Sequence, residues 1–303
     1  MTLPDLARKI ENRGRMYVRP STQQEARSVT NITGKKDKSG PLVGWAVKHS
    51  GLKHEAILAE IVETLKTEDP EIAKKLILKE FGTKKARSDS ARQVKGARFE
   101  DKVTEHFSAA VAGTLVHDAI EHHVHTGRFG FSFSARMDVQ KAGTDDATAL
   151  REIDGWLRQY LAFEQRFQPT WELLEATVWN ETYGYAGTMD GLMRLPNGRR
   201  YLVDFKTGNG VYPEYGMQVE ALARGEIIID PETGDETPMT QVDALAILHI
   251  RPEYSDLHEV RRIDKVWEAF LGLIAVAEFE DISHLVLGTK VRTEAVEEGN
   301  AAA

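Results

Sequence analysis

The segment from Trp171 to Phe205 constrains the fold of this chain more than any other part of its sequence. Before it, apolar residues recur at helical spacing; within it, they follow the spacing of strands. Leu195-Pro-Asn-Gly198, near the end of the segment, is typical of a hairpin turn. The segment therefore predicts three consecutive strands, which are Trp171–Trp179, Tyr185–Leu195 and Tyr201–Phe205.

Helical periodicity dominates the sequence before these strands. The predicted helices are Leu52–Lys66, Glu71–Phe81, His106–Thr126 with a start or break near Gly113-Thr114, and Leu150–Phe167. Residues 1–45 show little periodicity and predict an arm or loops, and the Gly- and Asp-rich stretch 127–147 predicts a loop.

A mixture of helices and strands follows the three predicted strands. The predicted elements are a helix at Tyr215–Gly225, a buried strand at Val242–Ile250, an edge strand at Asp256–Arg262 and a helix at Asp264–Glu280 with Asp264 as its N-cap. This order predicts an α/β or α+β core. We expect a basic, helical N-terminal extension over residues 1–105, a core over residues 106–290, and a disordered acidic tail over residues 291–303.

Charge is distributed unevenly along the chain. The formal net charge is −8, yet residues 1–117 carry 22 basic and 15 acidic side chains, and the rest carries 17 basic and 32 acidic. Residues 74–98 alone hold nine basic and two acidic side chains, a pattern that suits a polyanion or a solvated helix.

Composition excludes several classes of site. The chain has no cysteine, which excludes disulfides, thiolate-held iron–sulfur clusters and cysteine nucleophiles. It has no apolar run long enough for a transmembrane helix, and Met1–Ile10 has no signal-peptide core. We therefore expect a cytoplasmic protein that does not contact a membrane.

Two aspartates flank the predicted hairpin turn, and the length of the turn decides whether they meet. A strict two-residue turn at Asn197-Gly198 pairs Asp190 with Phe205, whereas a three-residue loop or a bulge pairs Asp190 with Asp204. We predict the second arrangement, which places both carboxylates on one face as a hard-oxygen site for Mg²⁺ or Mn²⁺.

Three further side chains suit such a site. Lys206 lies two residues after Asp204 and so points the same way, where it can orient or help deprotonate a water and offset the charge of a phosphate. His117 offers an imidazole ligand on the upstream helix. Glu121 follows one helical turn later on the same face.

Four sequence motifs together resemble a known family. Gly113-Thr-Leu-Val-His117, Gly187-Thr-Met-Asp190, Val203-Asp-Phe-Lys-Thr-Gly208 and Gln218 occur in the order found in the PD-(D/E)XK nuclease superfamily. The match is most similar to its RecB-type, CRISPR-associated and phage exonuclease branch. It covers roughly residues 106–225, and a weaker match begins at Ser28.

The resemblance implies a restriction-endonuclease-like core, which is a mixed sheet flanked by helices, and a role for each matching residue. His117, Asp190, Asp204 and the Phe205 carbonyl would bind the metal, and Lys206 would be the catalytic lysine. The remaining implied roles are Gln218 as an orienting side chain and Glu175 as an auxiliary acid.

Two departures from the family pattern bear on cofactor and substrate. Leu222 stands where the family has a tyrosine, so Tyr215 or Tyr212 would have to replace it. Many relatives hold an iron–sulfur cluster through cysteines, and this chain has no cysteine to do so.

The implied activity is a metal-dependent DNA exonuclease, in phage or bacterial recombination or repair. Its partner would be DNA, with a homo-oligomer or a recombinase as further candidates. Alternative hypotheses are a non-catalytic DNA-binding accessory protein, a scaffold in a phage-like particle, an endonuclease, and a CRISPR-adaptation-type nuclease. The predicted DNA contacts are Lys84, Lys85, Arg87, Arg92, Lys95, Arg98, Tyr183, Tyr185 and Tyr215.

Overall fold

The structure, a computed structural model, describes residues 7–10, 14–35, 102–230 and 233–287. Ten strands form one mixed sheet in these ranges. They are β1 (Ala7–Ile10), β2 (Gly14–Val18), β3 (Glu25–Ser28), β4 (Thr170–Asn180), β5 (Tyr185–Arg194), β6 (Arg200–Lys206), β7 (Ile227–Ile229), β8 (Glu236–Pro238), β9 (Ala244–Ile250) and β10 (Ser255–Val260). The α-helices are α1 (Val29–Thr33), α2 (Ala109–Thr126), α3 (Phe133–Lys141), α4 (Asp146–Phe167), α5 (Pro213–Ala223) and α6 (Asp264–Ile282). A 3₁₀ turn at Ser283–Leu285 follows α6.

Helices cover both faces of the sheet. On one face α2, α3 and α4 pack against the sheet, and on the other face α1, α5 and α6 do so. Strand β9 is buried along its whole length, with Ala246 and Leu248 on the first face and Leu245 and Ile247 on the second. The sequence of such a strand is a continuous run of mostly apolar residues, because helices cover both of its faces. The predicted α/β class with a mixed, helix-flanked sheet is confirmed.

One edge of β5 is shared between two different strands. Along its other edge β5 pairs with β4 over its full length. On the shared edge Tyr185 and Ala186 pair in parallel with β3, whereas residues 191–194 pair antiparallel with β6. Residues 187–190 lie between the two partners, where β3 and β6 diverge. The sheet therefore opens beside the strand that carries Asp190.

The turn between β5 and β6 has the three-residue loop that the sequence predicts. The Leu195 amide and the Arg199 carbonyl form the last ladder bond at 3.0 Å, and the Gly198 amide donates to the Leu195 carbonyl at 2.9 Å. Gly198 has φ +82°, a left-handed conformation that glycine adopts without steric penalty.

This turn fixes the register of the two aspartates. Gly191 faces Val203, and continuing that register by one residue places Asp190 opposite Asp204. The prediction that Asp190 pairs with Asp204 is thereby confirmed, and Phe205, between Asp204 and Lys206, is buried in the core on one face of the sheet.

A β-bulge in β4 sets the position of a third acid. Trp171 pairs with Met193 but Leu173 pairs with Leu192, so Glu172 is an extra residue in β4. The shift moves every later residue of β4 by one place relative to β5. The Glu172 carboxylate binds one arginine of β5 and one of β6 and so holds the bulge in place, with Arg194 Nη2 at 2.7 Å and Arg200 Nε at 2.5 Å.

The N-terminal residues correct one prediction. Residues 1–45 were expected to be an arm or loops, but β1, β2 and β3 extend the main sheet and α1 packs into its core. These strands are four or five residues long and lie towards one end of the sheet, so they carry little of the alternation that reveals a strand in sequence. The predicted boundary after residue 105 therefore does not separate the sheet from an extension.

Three smaller differences concern helices. Residues 127–147, expected to be a loop, contain α3, which begins at the Ser132 cap and buries only Ala135 and Val139. Helix α2 runs without a break through Gly113. Ile263, not Asp264, occupies the N-cap position of α6. The other elements predicted after residue 149 are confirmed to within four residues at their ends.

Several expectations fall outside the described residues. They are the predicted helices Leu52–Lys66 and Glu71–Phe81, the basic residues between positions 74 and 98, and the acidic tail over residues 291–303. Within the described ranges, no helix combines the length and the apolar character needed to cross a bilayer.

Replacing Glu172 with Ala should lower the free energy of unfolding by about 1 kcal/mol at pH 7, because two arginines lose a shared, partly buried partner. Hydrogen bonds and charge from Arg200 and Arg194 outweigh burial and hold the pKa of Glu172 below its ordinary value. Its contribution is therefore present above the pKa of the unfolded carboxyl and lost as pH falls through the folded value. Urea denaturation at pH 7 and pH 3 measures both effects.

Asp154→Ala is the matched control, since its ion pair with Arg158 is exposed and joins residues of one helix. Equal losses in the two variants would show that the bulge does not depend on Glu172.

Candidate metal centre at the split edge of the sheet

Three carboxylates from three neighbouring strands meet in one cleft. Glu175 of β4 lies between the pairs Leu174–Gly191 and Ala176–Met189, which places it opposite Asp190. Asp190 in turn lies opposite Asp204 of β6. All three line a cleft of about 620 Å³ at the opening between β3 and β6.

Asp190 is the centre of this row. Its Oδ2 accepts a hydrogen bond from the Phe205 amide at 2.5 Å, and the Nδ1 atom of His117 lies 3.6 Å from the same oxygen. Ligand atoms of His117, Glu175 and Asp190 all lie within 4.8 Å of one another. Burial raises the pKa of the Asp190 carboxyl above its ordinary value.

Asp204 is the most deeply buried of the three. Its side chain is 3% exposed, and its Oδ2 lies 2.5 Å from the Nζ of Lys206. That oxygen accepts no hydrogen bond of normal geometry from the described residues. Burial and the charge of Asp190 raise the pKa of Asp204 to about 6. A buried carboxylate oxygen without a hydrogen-bond donor is an acceptor that a cation would satisfy.

Lys206 supplies a positive charge beside these acids. Burial alone would lower its pKa, but Asp204 and Asp190 together raise it above the ordinary value, so the side chain is an ammonium at neutral pH. Its Nζ also lies 4.9 Å from the ring centre of Tyr215. One ammonium facing three carboxylates leaves the cleft with an excess of negative charge.

Helix α2 brings His117 to the opposite side of the cleft. A Cβ at Gly113 would lie 2.7 Å from the Thr207 Oγ1, so the glycine allows the helix to approach the end of β6. Burial and the charge of Lys206 lower the pKa of His117 to about 4. The imidazole is therefore neutral at pH 7, the form that binds a metal.

Glu175 is held in an unusual conformation. Its φ is +49°, a left-handed value that is rare for residues with a side chain. Burial, Asp190 and Glu121 raise the pKa of its carboxyl to about 9. Strain and like-charge crowding at the same residue are expected at a functional site rather than in a structural ion pair.

A second group of potential ligands, Glu105, His106 and Glu152, differs from the cleft in one respect. The backbone amide of His106 donates to Glu152 at 3.1 Å, and its ring contacts the other oxygen. Burial would raise the pKa of Glu152, but hydrogen bonds from Thr104 and His106 outweigh it and lower the pKa. Hydrogen bonds from the protein thus outweigh burial at Glu152, whereas burial outweighs such contacts at the cleft carboxylates.

Six of the seven residues predicted to bind metal or catalyse line the cleft; the seventh, Phe205, was predicted to offer its carbonyl and is not among the lining residues. His117, Glu175, Asp190, Asp204, Lys206 and Gln218 all line the cleft, and so does Glu121. Phe205 contributes its amide to Asp190, and its ring packs edge-on against His117 at 5.6 Å. Carboxylate oxygens with one imidazole form a donor set that suits Mg²⁺ or Mn²⁺.

The tyrosines predicted to contact DNA have different environments. Tyr185 is fully buried and its hydroxyl donates to the Ala221 carbonyl, so its prediction as a base-stacking residue is wrong. Tyr183 is exposed but packs edge-on against Trp267, and it is not among the residues that line the cleft. Tyr215 lies beside Lys206. The six predicted basic contacts between Lys84 and Arg98 lie outside the described residues.

Sequence reasoning missed the N-terminal contribution to the cleft. Arg15 and Tyr17 of β2 and Thr30 of α1 line it from the side of β3. The Tyr17 hydroxyl lies 2.9 Å from the Thr188 Oγ1 and accepts a hydrogen bond from the Thr188 amide at 3.1 Å. The apolar residues Met16 and Val18 on either side of Tyr17 are the only sequence signal of this strand.

Comparison with known proteins identifies neither a family nor a function for this chain. No family model and no curated protein matches this chain. Among solved structures, the crystal structure of SSO0001 aligns with 56% of this chain and 74% of its own, with 12% identity and a TM-score of 0.26. A score this low does not identify a fold.

Replacing Glu175 with Gln should stabilise the metal-free protein at pH 8 by about 1–2 kcal/mol. The folded state holds this carboxyl at a pKa of about 9, above its ordinary value. Between these two pKa values the folded state binds more protons than the unfolded state. Stability should therefore fall as pH rises through that window. The amide does not titrate, so it avoids the cost of holding this carboxyl in its protonated form, and urea denaturation at pH 5 and pH 8 detects the gain at the higher pH.

Glu253→Gln, an exposed position remote from the cleft, should change nothing at either pH. A Glu175→Gln protein that is less stable than the wild type at pH 8 would contradict the inferred repulsion.

Adding Mn²⁺ should raise the midpoint of thermal unfolding of the wild type, because a ligand that binds only the folded state stabilises it. Asp190→Asn and His117→Ala should each lose most of this increase. His106→Ala tests the second ligand group and should keep the increase, whatever its starting midpoint. A shift lost in His106→Ala and kept in Asp190→Asn would place the metal outside the cleft.

Proposed function

We propose that this protein is a metal-dependent deoxyribonuclease that hydrolyses phosphodiester bonds at DNA ends, as an exonuclease with a restriction-endonuclease-like core of the PD-(D/E)XK type. The observation that carries the proposal is the convergence of Asp190, Asp204 and Lys206 in one cleft. The excess of buried carboxylates there is unfavourable for the protein alone, and a divalent cation would balance it.

His117, Asp190 and Asp204 would hold Mg²⁺ or Mn²⁺, with the Phe205 carbonyl as a main-chain ligand. Glu175 would act as an auxiliary acid on the neighbouring strand. A bound divalent cation lowers the pKa of water and offsets charge on a phosphate. No cysteine is present to hold an iron–sulfur cluster.

Lys206 has a defined part in this scheme. In the metal-free protein Asp204 and Asp190 raise its pKa, so the side chain is an ammonium there. It would orient or help deprotonate the attacking water and offset charge on the scissile phosphate. Tyr215 fixes the ammonium from the side of α5, and Gln218 of the same helix orients the phosphate or the lysine. The expected product carries a 5′-phosphate.

DNA would approach an acidic cleft, so its binding should depend on divalent metal. The basic segment between residues 74 and 102 would contact the backbone, with an affinity that falls steeply as salt rises. We place the protein in the cytoplasm of a bacterial or phage-infected cell, in recombination or repair. A homo-oligomer or a recombinase partner fits this setting.

The test is a time course on end-labelled linear DNA and covalently closed circular DNA, with Mg²⁺ and then with Mn²⁺. The proposal predicts metal-dependent loss of linear DNA from its ends and no loss of circles. Asp204→Asn and Lys206→Ala should each reduce the rate by about 10³-fold or more, since both touch the reacting groups.

Matched controls are Asp154→Asn and Lys141→Ala, which alter exposed residues outside the cleft and should cleave like the wild type. Cleavage of circles would identify an endonuclease or an adaptation-type nuclease instead. DNA binding without any cleavage would support a non-catalytic accessory protein, and normal cleavage by Asp204→Asn would refute the mechanism.

A further inference from the structure

We propose that Arg15, held in place by Tyr17, forms a phosphate-binding subsite at the N-terminal edge of the cleft. Its ligand is a backbone phosphate of the substrate next to the one that is cleaved. This inference rests on the proposed function and adds a specific substrate contact to it. It depends on β2, a strand outside the four motifs on which the family resemblance rests.

The opening in the sheet gives Tyr17 its position. Residues 187–190 of β5 lie outside both ladders of the shared edge, because the pairing with β3 ends at Ala186 and the pairing with β6 begins at Gly191. The Thr188 amide would therefore lack an acceptor there, and it donates to the Tyr17 hydroxyl at 3.1 Å. The ring of Tyr17 is 2% exposed, so its orientation is fixed by packing as well.

Arg15 is placed by this ring. Its guanidinium carbon lies 5.4 Å from the ring centre of Tyr17, a cation–π contact. The side chain is exposed and lines the cleft that contains the metal-binding acids. Among the described residues it forms no ion pair, although five carboxylates line the same cleft.

The neighbouring arginine in the same segment shows the contrast. Arg19 is 8% exposed and binds Glu181 and Glu236, so its donors are used within the protein. Arg15, four residues earlier, is exposed, lines the cleft and forms no ion pair with a described residue. An arginine that supports the fold and one that is available to a ligand therefore lie on the same short stretch of chain.

Phosphate is the ligand that this arrangement suits. Lys206 lies against Asp204 at the metal-binding acids, and Arg15 is the one arginine among the described residues that line the cleft. A guanidinium presents paired N–H donors that match phosphate oxygens. A DNA strand that enters an acidic cleft needs such a contact to offset repulsion between its backbone and the carboxylates.

The experiment compares Arg15→Gln with Arg158→Gln, which removes an exposed arginine of α4 outside the cleft. Steady-state cleavage of a short DNA oligonucleotide in Mn²⁺ gives KM and kcat separately. We expect Arg15→Gln to raise KM by about 10-fold with kcat within about two-fold, because the lost contact holds the substrate before and during the reaction. Arg158→Gln should match the wild type.

Binding of the same oligonucleotide in Ca²⁺, followed by fluorescence anisotropy over a range of salt, gives a second readout. Removing one phosphate contact should reduce the slope of log K against log salt by about one in Arg15→Gln. Arg15→Lys should retain the slope and bind more weakly than the wild type, since it keeps the positive charge but loses the paired N–H donors of the guanidinium. Tyr17→Phe, which lacks the hydroxyl that contacts Thr188, should raise KM by a smaller factor.

Unchanged KM and salt slope in Arg15→Gln would overturn the subsite while leaving the nuclease proposal intact. A fall in kcat alone would also overturn it, because Arg15 would then act on the reaction rather than on binding. If the wild type cleaves no DNA, the proposed function fails, and the anisotropy comparison still decides whether Arg15 contacts a phosphate. Absence of DNA binding by the wild type would overturn the subsite as well.

Discussion

Repulsion among buried carboxylates is the constraint on which the rest of this structure depends. Glu175, Asp190 and Asp204 come from adjacent strands and share one cleft with a single ammonium. Each of the three has a pKa above its ordinary value, because burial, with repulsion from neighbouring acids at Glu175 and Asp204, outweighs the stabilising contacts. A structural ion pair behaves in the opposite way, as Glu152 illustrates with a lowered pKa.

Several local structural features hold the three acids in this arrangement. The three-residue turn at Gly198 sets Asp190 against Asp204, and the bulge at Glu172 sets Glu175 against Asp190. The arginines that bind Glu172 come from β5 and β6, so the bulge is fastened to the two strands that carry the aspartates. The opening between β3 and β6 then gives the carboxylates access to solvent. Geometry that is unfavourable for the protein alone is thus built from specific features of three strands.

Much of this core could be predicted from the sequence because its signals are local. The strands from Trp171 to Phe205 are apolar and separated by recognisable turn residues, and the length of the loop before Arg200 determines which side chains meet. Asp204 and Lys206 share a face because strand side chains alternate. The identity of the cleft residues therefore followed from spacing once the hairpin register was chosen.

The remaining features depend on contacts between distant parts of the chain. Strands β1 to β3 are short and polar, and their place in the sheet is set by pairing with β5 about 160 residues later. The bulge at Glu172 has no signature in β4 itself, because it is stabilised by arginines that follow in β5 and β6. Tyr185 resembles a surface aromatic in sequence, yet α5 covers it, and a carbonyl of that helix accepts a hydrogen bond from its hydroxyl. Arg15 and Tyr17 line the cleft at the place where the edge of β5 passes from pairing with β3 to pairing with β6.

Anomalous diffraction from crystals soaked in Mn²⁺ tests the central claim most directly. The account predicts a peak about 2.1 Å from carboxylate oxygens of both Asp190 and Asp204, with the imidazole of His117 within reach. It also predicts that Lys206 moves away from its present contact with Asp204 as the metal takes that oxygen. A cleft without a peak, or a peak at Glu105, His106 and Glu152 instead, would contradict it.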